Sequence, residues 1–451
     1  MSTPSLPSYV AAAPPSFSRT PSYTAEPQAY EQRLAHNPRL RPRLSGEFTK
    51  ASKNGGLALR FLSQEEHVAL PVYGISDVVD GIVDIAKTDG VHSVDVKIKG
   101  VLRLKEVAEG GTVNHELCIS RQSLWNKDRD AGPCPSSLSF SLQLPTKFSD
   151  GRVEYPLPPT HEVHLSGLPG FRANVEYTVT ATVDRGIVKK ATSFFPKVNE
   201  NTISTEFVYY PRSRPAVPLP SAMLSHPKTG WVESPEWRGF ESVIPAHVPG
   251  VQDIATKLYI PASRVFSLTE TIPFHLTLRS SAYSLAAFMP YGPTASVLNP
   301  NKQHTRISLF RQSIVDVRNT VVFGTKTDIW RVENVGAGTF QRGNDGTEFL
   351  TFKGEVRISD EVKVGSFRAG GLSVRDCLLL AMIPPDVSKS PFKELRLVVP
   401  IRLVSDPFSH SLDGHDHALG ALGYDAEPSE YSSPSSEEDQ TSQHLVNYRD
   451  L

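Results

Sequence analysis

The stretch Val175–Gly186, VEYTVTATVDRG, places Val175, Tyr177, Val179, Ala181 and Val183 on one face and Glu176, Thr178, Thr180, Thr182 and Asp184 on the other. A period of two is that of a half-buried β-strand and does not gather on one side of a helix. Short runs of the same kind recur along the chain. The first half holds LALRFL, HVALPVYG, GIVDIA, SVDVKIKGVLRLKEV, HELCISRQSLW, LSFSLQLP and STEFVYYP. The second holds ATKLYIPASRVFSL, IPFHLTLRSS, HTRISLFRQSIVDV, TEFLTFKGEVRI, SVRDCLLLAMIPP and ELRLVVPIRLVS. Val94, Val96 and Ile98 alternate with Asp95, Lys97 and Lys99, and the Gly100 that follows predicts a bulge or bend. Almost no segment sustains a helical period. The best helical candidate, Ile75 to Lys87, carries Val78–Val79 and Ile82–Val83, which favour strand. The pattern predicts an all-β chain built of antiparallel β-sandwiches.

With 451 residues, the chain exceeds one ordinary core, and two domains of about 150–200 residues are expected. Thirty-seven prolines and 39% hydrophobic content suggest folded domains diluted by Pro-rich segments. The division expected is a disordered Pro/Ser/Tyr-rich arm over 1–45, a β-sandwich over 46–210, a Pro-rich connection over 211–244, a second β-sandwich over 245–405, and an acidic Ser-rich disordered tail over 406–451. A net charge of −1 gives no global field toward nucleic acid, and no basic stripe with interleaved aromatics appears. Charge is uneven locally: Arg33, Arg39, Arg41 and Arg43 cluster, whereas the stretch from Asp406 holds ten acidic residues against Arg449. Cys118, Cys134 and Cys377 are odd in number and form no C-x-x-C pair, which points to a reducing compartment. No secretory signal and no apolar run of membrane-spanning length is read, so a cytoplasmic location is expected.

Three segments taken in order resemble an arrestin N-domain: SVDVKIKGVLRL, FSLQLPTKFSDGRVEYPLPPTHEV and GFRANVEYTVTATVDRG. In that family a strand ending in Gly precedes a long insertion; an apolar-x-Leu-Pro strand end and an LPPT turn follow; a Tyr-containing strand then closes on a charged pair. The second half, ending in LRLVVPIRLV, is similar to an arrestin C-domain. The resemblance spans residues 50 to 405 and is closest to the fungal α-arrestin branch. It implies two immunoglobulin-like sandwiches of seven or so strands joined by a short linker, and an adaptor rather than an enzyme. The cargo it implies is the cytosolic tail of a transporter or receptor, with recruitment to the plasma membrane or endosomes. No residues are matched to the buried charged cluster that holds visual arrestins inactive, and activation by a phosphorylated receptor is not carried over.

The α-branch recruits HECT-type ubiquitin ligases through Pro-Pro-x-Tyr or Leu-Pro-x-Tyr peptides, and Leu6, Pro7 and Tyr9 of LPSY fit that pattern. Proline presets an extended backbone that docks at low entropic cost, and the tyrosine ring fills an aromatic-lined pocket of a WW domain. Pro21 and Tyr23 of TPSY form a second, degenerate copy, and two copies on one arm add avidity. The bland reading is chance occurrence in a Pro/Ser/Tyr-rich arm. The family usually places such motifs after the C-domain, where this sequence has none.

Other features are weighed the same way. In PSSEED, Ser435 and Ser436 precede Glu438 and Asp439 at a spacing that acidophilic kinases read, and Ser433–Pro434 is proline-directed. HSLDGHDH, His410 to His417, groups three His and two Asp, but a metal site needs fixed geometry, so neither metal nor cofactor is expected. Arg212, Pro215 and Pro218 fit an Arg-x-x-Pro-x-x-Pro pattern, for which a stiff exit from the first domain is the favoured reading. For the Arg33–Arg43 arm a solvated linker is the favoured reading, the alternative being weak contact with anionic lipid at about 1 kcal/mol per basic residue. No G-x-S-x-G, H-E-x-x-H or phosphate-loop motif appears. The expected function is a ligase-recruiting cargo adaptor. The alternatives are an arrestin-fold scaffold in vesicle sorting without ligase coupling, or an unrelated all-β enzyme.

Overall fold

The computed structural model describes residues 30–34, 46–107, 111–185, 202–293, 303–316, 328–386 and 388–409. The protein is all-β, mostly strand with 3% helix. In chain order the first elements are β1 (Glu31–Leu34), β2 (Gly46–Ala51), β3 (Leu57–Gln64), β4 (Val72–Tyr73), β5 (Val78–Ile85), β6 (Ser93–Glu106), β7 (Thr112–Asn126), β8 (Ser137–Gln143), β9 (Lys147–Ser149), β10 (Glu154–Pro156), β11 (His161–Leu165), β12 (Phe171–Asp184) and β13 (Thr202–Tyr209). Strands β2-β3-β5-β8 form one sheet, and β4-β13-β12-β6-β7, with β11 also on β12, form a second. The inward residues of both sheets share one core: Leu59, Phe61, Val83 and Phe140 belong to the same buried cluster as Ile98, Leu102, Tyr177 and Val179.

Strand β12 shows why the alternation is enforced. It pairs with β6 across its whole length, and Val175, Tyr177, Val179, Ala181 and Val183 are all fully buried. A one-residue slip would turn that whole set to solvent. Gly100, opposite Tyr177, is required by close approach. A Cβ there would meet the Tyr177 ring at 2.6 Å and Cys118 Sγ at 2.9 Å. The register between β6 and β7 shifts right after it, the bulge the sequence predicts.

The chain continues through β14 (Arg212–Pro215), β15 (Ser225–His226), β16 (Gly230–Trp231), β17 (Trp237–Ile244), β18 (Ile254–Pro261), β19 (Val265–Ser267), β20 (Ile272–Arg279), α1 (Ala282–Phe288), β21 (Thr305–Asp316), β22 (Asp328–Arg342), β23 (Phe349–Ile358), β24 (Phe367–Ala369), β25 (Leu372–Met382) and β26 (Leu395–Val404). One sheet, β17-β18-β20-β23-β22-β21-β25-β26-β19 with β24 on β25, curls until β17 lies against β26. Its concave face encloses a second core that includes Leu258, Phe274, Leu309, Phe352, Leu378 and Val399, closed by Leu285 and Phe288 of α1. On the convex face the β15–β16 segment forms a strap. Met223, Trp231, Trp237 and Tyr259 make a separate small core beneath it. Gly230 takes φ +90° there, and a Cβ would strike Thr351 at 2.6 Å.

Several boundaries differ from the sequence reading. Residues 1–45 are expected to be irregular, yet Glu31–Leu34 is a strand, paired antiparallel with β14. Its four residues carry no alternation; an ion pair and a ladder from a distant segment order them. The 211–244 connection contains β14 to β17, and Trp237–Ile244 is an edge strand of the second sheet, so the second unit starts before 245. Edge exposure blurs the alternation of WRGFESVI, whose ends alone are well buried. Asp406, assigned to the tail, is fixed against Arg212. The weak helical candidate at 75–87 contains β5, while α1, the α-helix among the described residues, was not expected. It is seven residues long, capped by Ser281, and its burial of Leu285 and Phe288 is a tertiary effect.

Candidate functional site

The two β units meet in a seam with an apolar floor and charged walls. Val315, Ile329, Ala369 and Leu372, at the ends of β21, β22, β24 and β25, join the core of the first unit. Directly beside them Arg311 and Asp376 sit opposite each other on β21 and β25. Arg311 Nε and Nη2 donate to the two Asp376 oxygens at 2.8 and 3.0 Å, both side chains being nearly sealed from solvent. Ser366 Oγ donates to Asp376 at 2.7 Å and accepts from the Leu403 N–H at 2.9 Å. The carboxylate is therefore held by charge and hydroxyl together, which offsets the cost of burying it.

His161, at the start of β11, faces Arg311 from the first unit. Burial and then the Arg311 charge push its pKa down to about 4, so the ring is neutral near pH 7. It stands edge-on to Phe367, with ring centroids 5.4 Å apart.

A second charged layer comes from the chain's distant ends. Glu31 of β1 pairs with Arg402 of β26, and Arg402 Nη2 reaches Glu31 Oε1 at 3.0 Å. Arg212 of β14 grips Asp406 with both Nε and Nη2. Ser405 Oγ accepts from the Ser213 N–H at 2.8 Å, and the Asp406 N–H donates to the Ser213 carbonyl at 2.9 Å. Between these pairs lies a cavity of about 300 Å³ walled by Arg33, Lys147, Tyr209, Tyr210, Phe367 and Arg368 among others. On the other side of the Arg311–Asp376 pair, a wider cleft of about 620 Å³ is lined by Glu162, Glu176, Glu206, Glu333 and Glu361. The seam thus presents one basic opening and one acidic opening, with a buried ion pair between them.

Of the sequence-expected site residues, Leu6, Pro7, Tyr9, Pro21, Tyr23, Ser433, Ser435 and Ser436 lie outside the described residues, as do Arg39, Arg41, Arg43 and the His410–His417 cluster. Arg33 belongs to β1 and lines the basic cavity. Arg212 and Pro215 of the proline-rich pattern are engaged in the β1–β14 ladder, so that peptide is held on the fold. The seam residues were missed by motif reading. Their signal is a lone charge inside an apolar run, Arg311 in ISLFRQSIV and Asp376 in SVRDCLLLA. Opposite charges so placed on two long strands are candidates for a cross-strand pair.

Among the described residues no group of three His, Cys, Asp or Glu side chains is arranged to hold a metal, and no helix is long and apolar enough to cross a membrane. Compared with known proteins, the chain matches no family model and no curated protein.

Proposed function

We propose that the chain is an arrestin-like adaptor, which binds the cytosolic tails of membrane proteins and brings them to a WW-domain-containing HECT ubiquitin ligase. Support comes foremost from one bond. Tyr177 Oη donates at 2.7 Å to the carbonyl of Pro158, deep in the first core. That bond joins two segments on which the resemblance rests, the LPPT turn and the tyrosine-bearing strand. The third segment, SVDVKIKGVLRL, is β6, the neighbour of β12. On this reading the two units are the family's two sandwiches, the second of them strongly curled. The charged seam is the surface that holds the units in one relative placement while cargo docks on edges and loops. The arm ahead of β1 carries Leu6–Tyr9 to the ligase, in the cytoplasm and at plasma-membrane or endosomal surfaces.

Calorimetric titration of the intact chain into a tandem WW fragment of a HECT ligase tests the reading. A single peptide of this kind binds at micromolar order, about −8 kcal/mol, and Tyr9→Ala removes the dominant ring. Equal isotherms for the wild type and Tyr9→Ala would leave an arrestin-fold scaffold without ligase coupling as the better account.

A further inference from the structure

The strap on the convex face of the second sheet hangs on a histidine. Met223 donates its backbone N–H to His275 Nε2 at 3.2 Å, and both residues are buried. Between Ser221 and Glu236 only Met223, Gly230 and Trp231 are buried, so the strap has little apolar grip of its own. Other ties lie nearer the rim. Asn344 Nδ2 donates to Ser225 Oγ at 2.8 Å, Trp237 Nε1 donates to the Ser221 carbonyl at 3.0 Å, and Glu233 accepts from Lys257 Nζ at 2.6 Å and Tyr259 Oη at 2.8 Å. Beneath the strap Trp231 Nε1, His275 Nδ1 and Thr277 Oγ1 are buried without a hydrogen-bond partner among the described residues. That is a cost of the closed form, and lifting the strap into water removes it.

A neutral imidazole has one donor and one acceptor nitrogen. Since Nε2 of His275 accepts, Nδ1 carries the proton. A second proton has to go on Nε2, where it faces the Met223 N–H, donor against donor. The ring cannot be charged and hold the strap at once. His275 stands between Tyr259 of β18 and Lys353 of β23, and the row continues to Gly239 of β17 and Gln341 of β22. A charged ring therefore finds no carboxylate in its row. Lys257 and Glu241 lie one row along, and Glu355 one row the other way. Trp231 and Trp237 close over the ring edge-on, with centroids at 4.4 and 4.7 Å. Burial first, and then Lys353, hold the pKa of the covered ring down to about 4, against an ordinary 6.5.

We propose that the strap is a proton-triggered latch, which closes over neutral His275 and lifts from the sheet when the ring takes up a proton, uncovering Trp237 and Tyr259 on the convex face. In the lifted form the ring meets water and titrates near its ordinary value, so lifting and proton uptake are one equilibrium. Between pH 6.5 and 4 the lifted form binds more protons. Its population therefore rises as pH falls, by about tenfold per pH unit, and levels off below the lower value. The rim does not follow. The hydrogen bond from Lys257, and then that from Tyr259, hold Glu233 below the usual carboxylate range, so it stays charged at pH 5.5. The latch belongs to the second sheet and does not rest on the adaptor reading.

Hydrogen exchange of the full chain, read by mass spectrometry at pH 7.5 and 5.5, tests it. Observed rates divided by the intrinsic rates of unstructured peptide at the same pH give the opening of residues 222–232, which include the Met223 amide bonded to His275 and the Val232 amide bonded to Leu224. The strap should open more than β20 at both pH values, and its opening should rise about tenfold from pH 7.5 to 5.5. His275→Gln, whose amide oxygen still accepts from Met223, should keep the strap closed and lose the pH response. His226, in the turn of the strap, accepts on Nδ1 from the Thr229 N–H at 3.2 Å, and His226→Gln should keep the response. Opening that is independent of pH in the wild type, opening equal to that of β20, an unchanged response in His275→Gln, or a response lost in His226→Gln would each overturn the proposal. The wild-type comparison needs no substitution, so it decides the point even for a His275 variant that does not fold.

Discussion

Arg311 and Asp376 face each other across β21 and β25 in bidentate contact, at a place where a few residues either way the same strands carry Leu309, Leu378 and Val374. Each charge is tolerated because the other is there. Asp376→Ala leaves a buried guanidinium without its anion and should lower stability by about 3–5 kcal/mol, whereas Arg311→Met with Asp376→Leu should recover most of it. Denaturant midpoints of the two single and one double variant check this. A single variant as stable as the wild type would show that the pair is solvated.

The same reasoning applies to β12, with a different mechanism. Val179→Asp places an unpartnered carboxylate in the first core and should cost roughly 3 kcal/mol or more. Tyr177→Phe keeps the ring but leaves the Pro158 carbonyl unpaired, which should cost about 1–3 kcal/mol. Thermal unfolding separates the two, the larger shift belonging to Val179→Asp.

Glu31→Gln or Arg402→Ala should act locally. Among the described residues strand β1 is held by the β14 ladder and by side-chain contacts such as the Glu31–Arg402 pair, so breaking that pair loosens the strand and returns both groups to water. Hydrogen exchange of residues 31–34 should accelerate by at least tenfold, with the global midpoint almost unchanged. A large drop in the global midpoint would mean that β1 is part of the cooperative unit.

Two histidines give the fold an acid-sensitive component. His161 is held at about pKa 4 by burial and by Arg311. His275 is also at about 4, through burial and Lys353, while its Nε2 accepts from the Met223 N–H at 3.2 Å. In the unfolded chain both titrate near the ordinary 6.5. Between these values the unfolded state binds more protons, so stability is full above pH 6.5 and declines as pH falls toward 4. The slope is at most about 1.4 kcal/mol per pH unit for each residue. Urea midpoints measured at about pH 7.5 and 5.5 should differ, and His275→Gln, whose amide oxygen can still accept from Met223, should reduce the difference.

Strand alternation made most of the fold legible, because burial on one sheet face writes itself directly into residues such as Val175 to Val183. Strand β22 was missed since DIWRVENVGAGTFQR mixes polar residues and glycines at both faces, Gly336 and Gly338 lying against Arg357 and Ile307 where a side chain would not fit. Strand β1 was missed because nothing in EQRL encodes Arg402, 371 positions away. The seam was legible only as isolated charges in apolar runs; that Arg311 would meet Asp376 depends on strand order, which periodicity does not carry.

Leu34 pairs with Arg212, and Arg212 grips Asp406, so strand β1 and the Ser405–Asp406 end of the second unit are stitched to the same short ladder. The chain enters β1 at Tyr30, whose carbonyl accepts from the Ala216 N–H, and reaches Asp406 beside Ser213, so two parts of the chain that are far apart in sequence are anchored at the two ends of β14. A change that loosens β14 is therefore felt at both anchor points at once, without a conformational signal having to cross either core.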